Sequence, residues 1–214
     1  MSRGRLVLAT GNRGKIKEIA EALAGLELDI LTREDLDAWP HLAEEGDTFE
    51  ENARAKATVL ARWAGMPALA DDSGLEVEAL GGAPGVDSAL YAGTHGDDEA
   101  NIERLLREME GVPRGERGAR FVCVLVLASP GGETALIRDT CEGSIAAAPR
   151  GEGGFGYDPV FVPAGMERTM AELSLREKNA LSHRGKALRR LRAMLEAGEP
   201  GWFWLWSSRR RPGE

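Results

Sequence analysis

Two adjacent carboxylates follow a short apolar run in the stretch Ala68-Leu69-Ala70-Asp71-Asp72-Ser73-Gly74-Leu75. The apolar residues are typical of a strand that is covered on both faces. Ser73 and Gly74 would let the backbone turn close to a ligand where this strand ends, at the edge where open α/β sheets bind ligands. Neighbouring side chains of an extended chain point to opposite faces, so Asp71 and Asp72 should have different functions: one faces a metal ion or a substrate, the other a backbone donor. A strand-end turn with solvated carboxylates is the simpler interpretation.

A candidate anion site lies near the start of the chain, in Thr10-Gly11-Asn12-Arg13-Gly14-Lys15, which connects a predicted strand to a predicted helix. The free N–H groups and the positive dipole end of a helix's first turn attract anions, and Lys15 would add a charge. The segment is not a Walker A loop, because only two residues separate Gly11 from Gly14-Lys15 where that motif has four, and Ile16 stands where it has Ser or Thr. An ordinary turn with a solvated lysine has the same pattern.

The acidic loop Glu44-Glu45-Gly46-Asp47 precedes a helix that Thr48 opens, with Glu51 at the spacing of a capping box. On this helix Asn52 and Lys56 lie one turn apart, beside a stripe of small apolar residues. Such a polar pair can line a cleft. It can equally belong to a solvated helix face.

The segment Gly151–Asp158 contains four glycines around Phe155 and Tyr157. Glycines permit close approach of the backbone to a flat ligand, and an aromatic ring offers a stacking face. The alternative is a glycine-rich hairpin with a phenylalanine in the core. Farther along, the basic stretch from Lys178 to Lys186 stands out in an acidic protein, although surface charge on the last helix would explain it as well.

Hydrophobic periodicity predicts an α/β fold that would position these segments. Strands are predicted at 5–9, at 28–31, immediately before Asp71, and at 76–80, 119–128, 133–139 and 159–162. Helices are predicted at 12–24, 48–64, 97–109 and 174–198. The strands at 119–128 and 133–139 should form a hairpin.

Composition limits the classes of partner. The chain has 214 residues, of which 43% are hydrophobic, and its formal net charge is −8. This length allows one substantial core or two lobes that share a cleft, and a single domain is expected. Nucleic acid polymers and anionic membranes require a broad basic footprint, so neither is expected as a partner. A small phosphorylated ligand needs only a few focused cations and stays possible.

The two cysteines, Cys123 and Cys141, lack CxxC spacing and are expected to be reduced core thiols in a reducing compartment. No apolar run approaches the roughly 18 residues of a membrane span, and no signal peptide is expected. We therefore expect a cytoplasmic protein. The C-terminal segment 199–214, rich in Trp and Arg, has no periodicity and should be a tail that docks on the protein or at a subunit contact.

Five segments in this order resemble the inosine triphosphate pyrophosphatase family, which hydrolyses non-standard purine nucleoside triphosphates (ITP, dITP, XTP) to monophosphate and pyrophosphate. The segments are Thr10–Lys15, Glu44–Asn52, Ala70–Gly85, Gly154–Asp158 and Ser182–Gly185. The resemblance covers residues 5 to about 195. It implies a long mixed β-sheet with flanking helices that form two lobes around an active-site cleft, a single domain over 1–198, and a homodimer.

The resemblance also implies roles for individual residues. Asp72 would be the general base, and together with Glu44 or Glu45 it would hold Mg²⁺. The triphosphate would be bound by the Thr10–Lys15 helix start with Lys15, Lys56 and Lys178, and Ser73 would also contact substrate. The base would be recognised by Phe155, Gly156, Tyr157, Asp158, His183 and Arg184. Phe155 would stack on it, and Arg184 or a backbone N–H would donate to the oxygen at position 6.

Two other functions are compatible with the same residues. A non-catalytic nucleotide-binding or sensing module would use the glycines, Lys15 and the aromatic ring, but it would not need the acidic residues Glu44, Glu45, Asp71 and Asp72. A phosphatase, or a pyrophosphohydrolase of another nucleotide such as a modified pyrimidine, would need them.

Overall fold

A mixed six-stranded sheet forms the centre of the fold in the computed structural model, which describes residues 4–197. Its strands are β1 (Gly4–Leu8), β2 (Leu28–Leu31), β3 (Ala68–Val77), β4 (Gly118–Ala128), β5 (Thr134–Ile145) and β6 (Phe161–Pro163). The order across the sheet is β2-β1-β3-β4-β5-β6. β1 is parallel to β2 and β3, whereas β5 and β6 are antiparallel. The predicted α/β class with a mixed sheet is confirmed.

Residues 4–197 contain five α-helices, most of which begin at the capping residues that the sequence suggested. They are α1 (Arg13–Ala22), α2 (Phe49–Ala64), α3 (Asp98–Glu108), α4 (Leu175–Leu181) and α5 (His183–Ala197). Thr48 and Glu51 form a complete capping box at the start of α2, and Ser174 and Glu177 form another at the start of α4. Each box satisfies backbone N–H groups that a helix start leaves without intrahelical partners.

The sequence predicted that strand β3 ends at the two carboxylates, and this prediction is wrong. The strand runs straight through Ser73 and Gly74 to Val77, and the predicted separate strand at 76–80 is instead the end of β3 followed by a 3₁₀ turn, Glu78–Leu80. Carboxylates can lie inside a buried strand when cationic side chains meet them, which is the case for Asp71 and Asp72.

The predicted single helix at 174–198 is two helices. Ser182 adopts an extended conformation (φ −66°, ψ 157°) that ends α4, and its hydroxyl accepts a hydrogen bond from the N–H of Gly185 in the first turn of α5. A Cβ atom at Gly185 would lie 2.0 Å from the carbonyl oxygen of Asn179. The two helices therefore approach each other closely at a position that accommodates only glycine.

The chain divides into two compact units. The first contains, of the described residues, 4–72, 124–138 and 187–197, and the second contains Ser73–Cys123 and Asp139–Lys186. In the first unit the apolar faces of β1, α1 and α2 are buried, with Leu6, Ile19 and Leu60 among the fully buried side chains. The core of the second unit is formed by residues of β3, α3, β4, β5 and the segment 157–173, with Leu105 and Phe161 fully buried.

Cys123 and Cys141 are both buried, as predicted for core thiols, and neither forms a disulfide in the described part of the chain. Among residues 4–197 no helix is long and apolar enough to cross a membrane. The predicted docking of the C-terminal tail falls on residues outside the described part of the chain.

Candidate active site

The start of α1 is organised by two short side chains. Asn12 caps the helix, because its Oδ1 atom accepts the N–H of Lys15 at 3.0 Å, and the Thr10 hydroxyl accepts the N–H of Asn12 at 3.1 Å. Gly11, Asn12 and Arg13 are exposed. The local geometry is therefore that of an accessible helix N-terminus, as an anion site requires.

Lys15 reaches from this helix to the first of the two adjacent carboxylates. Its Nζ atom lies 2.8 Å from Oδ1 of Asp71 and 3.2 Å from the backbone oxygen of the same residue. The Asp71 side chain is fully buried, whereas that of Lys15 is 16% exposed. The positive charge of Lys15 thus offsets the buried negative charge of Asp71, whether or not Lys15 also binds a phosphate.

Lys56 joins the second carboxylate to the acidic loop. Its Nζ atom lies 2.5 Å from Oδ1 of Asp72 and 2.5 Å from Oε1 of Glu44. Burial raises the pKa of Asp72, and the positive charges of Lys56 and Lys15 oppose this effect only in part. Burial lowers the pKa of Lys56, but the two carboxylates outweigh it, so the pKa of this ammonium group lies above its ordinary value. Asp71 and Asp72 thus contact different lysines, and their different functions stay a prediction.

Asn52 fixes the acidic loop to α2. Its Oδ1 atom accepts the N–H of Gly46 at 2.8 Å, and its Nδ2 atom donates to the Gly46 oxygen at 3.2 Å. A Cβ atom at Gly46 would lie 2.7 Å from Cβ of Glu51, so the close approach requires glycine. This clamp holds the loop that carries Glu44, and the neighbouring Glu45 is exposed. Asn52 is buried rather than on a solvated helix face.

The donor set can be tested for its fit to Mg²⁺. In the described part of the chain, no three or more His, Cys, Asp or Glu side chains form a group that could hold a metal ion. Glu44 and Asp72 nevertheless approach the same cation, the ammonium group of Lys56. Mg²⁺ typically takes one or two carboxylates, several waters and substrate phosphates, so two carboxylates are sufficient. The residues fit, and the metal assignment stays a prediction.

In the second unit, Lys178 and Asp158 form a buried ion pair. Nζ of Lys178 lies 2.6 Å from Oδ2 of Asp158, and the two side chains are 4% and 3% exposed. The same Oδ2 atom accepts the N–H of Phe155 at 2.9 Å. Gly154, with φ of +76°, allows this approach, because a Cβ atom there would lie 2.0 Å from Oδ2 of Asp158.

Two cations lie next to the Phe155 ring. Nζ of Lys178 is 4.5 Å from the ring centroid and Cζ of Arg184 is 5.4 Å from it, both within the range of cation–π attraction. Arg184 and Lys178 are buried, so the basic stretch is not surface charge on a helix. The structure brings two predicted base-site residues, Phe155 and Arg184, together with Lys178, which was predicted to bind the triphosphate.

Of the remaining predicted base-site residues, His183 and Tyr157 are buried in the second unit. His183 is 4% exposed and stacks on Phe121, with 4.7 Å between ring centroids. The Tyr157 hydroxyl donates to the backbone oxygen of Ser88 at 2.9 Å, and burial raises the pKa of this tyrosine. Gly156 donates its N–H to Asp98 at 2.6 Å. Ser73, in β3, is half-buried.

The predicted residues therefore form two sets. A triphosphate-and-metal set lies in the first unit, and the second unit holds the base set together with Lys178 and Ser73, which were predicted to bind the triphosphate and to contact substrate. Comparison with protein families matches residues 6–194 to the Ham1 family. The chain belongs to the Ham1 family.

Sequence alignments with relatives cover most of this Ham1 family member. It is 54% identical over 184 residues to the dITP/XTP pyrophosphatase of Geobacter sulfurreducens, covering 86% of this chain and 92% of the relative. It is 52% identical over 186 residues to the dITP/XTP pyrophosphatase of Geobacillus kaustophilus, with coverage of 87% and 91%.

Solved structures of Ham1 proteins have the same fold. The Ham1 protein of Coxiella burnetii superimposes with a TM-score of 0.83 at 42% identity, covering 91% of this chain and 99% of that chain. The Staphylococcus aureus Ham1 protein gives a TM-score of 0.81 at 40% identity, with coverage of 91% and 100%.

Sequence reasoning missed several supporting residues of this Ham1 protein. Asp98 and Ser88 contact the predicted base segment from positions 58 and 69 residues away, and no local pattern predicts such pairings. The role of Asn52 as a loop clamp had one usable signal, a polar residue on the buried side of α2 six positions after a glycine.

Proposed function

We propose that this Ham1 family member hydrolyses non-standard purine nucleoside triphosphates, namely dITP, XTP and ITP, to the nucleoside monophosphate and pyrophosphate, which removes them from the nucleotide pool. Its relatives named dITP/XTP pyrophosphatase, at about half identity over most of both chains, support this substrate class. The single structural observation that carries the chemistry is the convergence of Asp72 and Glu44 on Lys56.

In the proposed reaction, Asp72 accepts a proton from a water molecule whose oxygen forms a bond to the α-phosphorus. The bond between the α-phosphorus and the bridging oxygen is broken in the overall reaction, and pyrophosphate leaves with its electron pair. Lys56 holds the Asp72 carboxylate in one orientation through the 2.5 Å contact. Proton removal by a positioned base is worth about 10²- to 10⁴-fold in rate, so positioning and electrostatics must supply the rest.

Mg²⁺ is the cofactor in this proposal, with Asp72 and Glu44 or Glu45 as its protein ligands. When bound it would act as a Lewis acid on the phosphates and offset their negative charge. The exposed N-terminus of α1 and the ammonium groups of Lys15 and Lys56 contribute the remaining positive charge for the triphosphate.

Base selection is assigned to the second set. The N–H groups of Phe155 and Gly156 already donate to the carboxylates of Asp158 and Asp98, so neither is the donor to the base. Arg184 is therefore the preferred donor to the oxygen at position 6. Adenine presents an amino group there, and a site built on polar complementarity rejects a mismatched partner by about 10⁴- to 10⁵-fold.

The proposed assembly is a homodimer, as the family resemblance implies, and light scattering of the purified full chain measures it. The cytoplasmic location stays a prediction from composition.

The decisive experiment measures pyrophosphate and orthophosphate release from ITP, dITP, XTP, GTP and ATP, with and without Mg²⁺. We expect pyrophosphate from ITP, dITP and XTP only when Mg²⁺ is present, and far lower kcat/KM for ATP. Orthophosphate as the product would indicate a phosphatase, and neither product would indicate a binding module. A preference for a modified pyrimidine triphosphate would also contradict the proposed substrate class.

A further inference from the structure

The predicted base segment is attached to a distant part of the same unit by one carboxylate. Oδ2 of Asp98 accepts the N–H of Gly156 at 2.6 Å, across 58 residues of sequence. Asp98 is the first residue of α3, so its backbone is fixed by the helix that follows. Gly156 has φ of +60°, a conformation that glycine adopts readily and also leaves readily. The contact therefore joins a rigid element to a backbone with little intrinsic rigidity.

The next residue is attached to the same part of the chain. The Tyr157 hydroxyl donates to the oxygen of Ser88 at 2.9 Å, and the Ser88 hydroxyl accepts the N–H of Leu75 in β3 at 2.9 Å. Asn101 of α3 then holds the intervening loop, because its Oδ1 atom accepts the N–H of Ala92 at 2.7 Å. Hydrogen bonds thus hold the region 88–101 to β3 and to α3. Within this region, Asp98 contacts the backbone next to Phe155.

We propose that Asp98 is a positioning residue for recognition of the purine base. This inference rests on the proposed function and adds a residue to it. The Asp98 carboxylate fixes the peptide group between Phe155 and Gly156 from one side, and Asp158 fixes the N–H of Phe155 from the other. Together they set where the Phe155 ring stands relative to Lys178 and Arg184. Asp98 acts through this backbone and does not contact the triphosphate.

A purely structural role makes a different prediction. An acidic side chain in the first turn of a helix interacts favourably with the helix dipole, whatever else it contacts. Glu99 is in the same turn of α3 and is exposed. Glu99→Gln removes the same charge from the same helix end and is a matched control for the dipole effect.

The experiment compares wild type, Asp98→Ala, Asp98→Asn and Glu99→Gln in the full chain. Loss of a hydrogen bond to a charged acceptor should raise KM for ITP about tenfold in Asp98→Ala, with kcat changed by less than about twofold. Asn keeps an acceptor oxygen, so Asp98→Asn should recover part of the loss. Inhibition by inorganic tripolyphosphate, which has no base, should be unchanged in all variants.

Amide hydrogen exchange gives a readout that does not require turnover. Peptides covering residues 151–158 should exchange faster in Asp98→Ala than in Glu99→Gln. Equal KM values for these two variants, or tripolyphosphate inhibition weakened as much as ITP binding, would overturn the role of Asp98. A wild type that releases no pyrophosphate from ITP contradicts the proposed function itself, whereas an active wild type with Asp98→Ala matching Glu99→Gln contradicts only this inference.

Discussion

Two buried lysines, Lys56 and Lys178, are surrounded by different arrangements of charge. The Lys56 ammonium is shared by two carboxylates, Asp72 and Glu44, and the Glu44 side chain is 47% exposed. Lys178 pairs with one carboxylate, Asp158, beneath an aromatic ring that a second cation also approaches. The Lys56 ammonium group therefore lies between two negative charges, whereas two positive charges approach the Phe155 ring.

This difference separates two chemical tasks. A pair of carboxylates that is partly open to solvent suits a divalent cation and a proton acceptor. A pair of cations beside an aromatic face suits an electron-rich carbonyl on a flat base. The same residue type, a buried lysine, thus serves each task because its neighbours differ.

The largest expected effect is on stability, in the second set. Asp158→Ala leaves the Lys178 ammonium buried without this carboxylate, and breaking a buried pair in this way costs about 3–5 kcal/mol of unfolding free energy. Denaturant unfolding measures it. The double variant Asp158→Ala/Lys178→Met should lose less than the two single variants together, because no charge stays buried alone.

The control for this prediction is Glu196→Ala, which breaks an exposed ion pair with Arg192 and should cost less than about 1 kcal/mol. If Asp158→Ala costs no more than this control, the buried pair does not hold the second set together.

In the first set the large effect should be on catalysis. Asp72→Asn removes the proton acceptor but keeps the size of the side chain, so kcat for ITP should fall at least about 100-fold. Binding of ITP, measured by calorimetry, and the melting temperature should change much less. Near-normal turnover would refute the assignment, and Asp71 would become the next candidate for the base.

The two glutamates of the acidic loop give a sharper test of the same set. Glu44, rather than Glu45, is the glutamate that contacts Lys56 beside Asp72. Glu44→Gln should therefore raise the Mg²⁺ concentration for half-maximal activity at least about tenfold. Losing a residue that only supports a metal ligand already lowers metal affinity by about 10- to 100-fold. Glu45→Gln is the matched control and should leave it within about twofold. The reverse result would make Glu45 the ligand.

The smallest expected effect concerns acid and the helix that carries Lys178. Hydrogen bonds from Arg168 and Ser174 lower the pKa of Glu177 in the α4 capping box from 4.5 to about 2. A lowered pKa means that this carboxylate contributes stability at pH values above about 4.5 and loses the contribution as pH falls through about 2.

Glu177→Gln should therefore flatten the dependence of unfolding free energy on pH between these values, with Glu103→Gln, an exposed change within α3, as the control. Identical pH profiles for wild type and Glu177→Gln would show that the capping box does not contribute to acid stability.

Prediction from the sequence was most accurate for elements whose start depends on a pattern of neighbouring residues. β1 and β4 each contain a run of consecutive apolar residues, and α2 and α4 begin at capping boxes. The starts of these elements lie within a residue or two of the predicted ones. The predicted end of β3 was wrong, because carboxylates normally mark the exposed end of a strand. Here Lys15 and Lys56 meet them from other elements, and only the tertiary structure supplies those partners.

The candidate site shows the same limit. The spacing of residues and the family resemblance selected Lys178 and Arg184, but their burial was not predictable, because a run of charges is normally solvated. The break at Ser182 was missed since the apolar stripe continues on its far side. Asp98 falls within the predicted helix 97–109 and received no role of its own, because its partner Gly156 is distant in sequence.

Gly185, in the first turn of α5 where this helix approaches α4, has a genetic consequence. Any side chain at position 185 would meet the backbone carbonyl of Asn179, which cannot rotate away as a flexible side chain could. Every missense change of that codon therefore forces α4 and α5 apart and separates Lys178 from Arg184. A screen for inactive alleles should recover position 185 alongside the charged residues, even though its residue has no side chain with which to bind substrate.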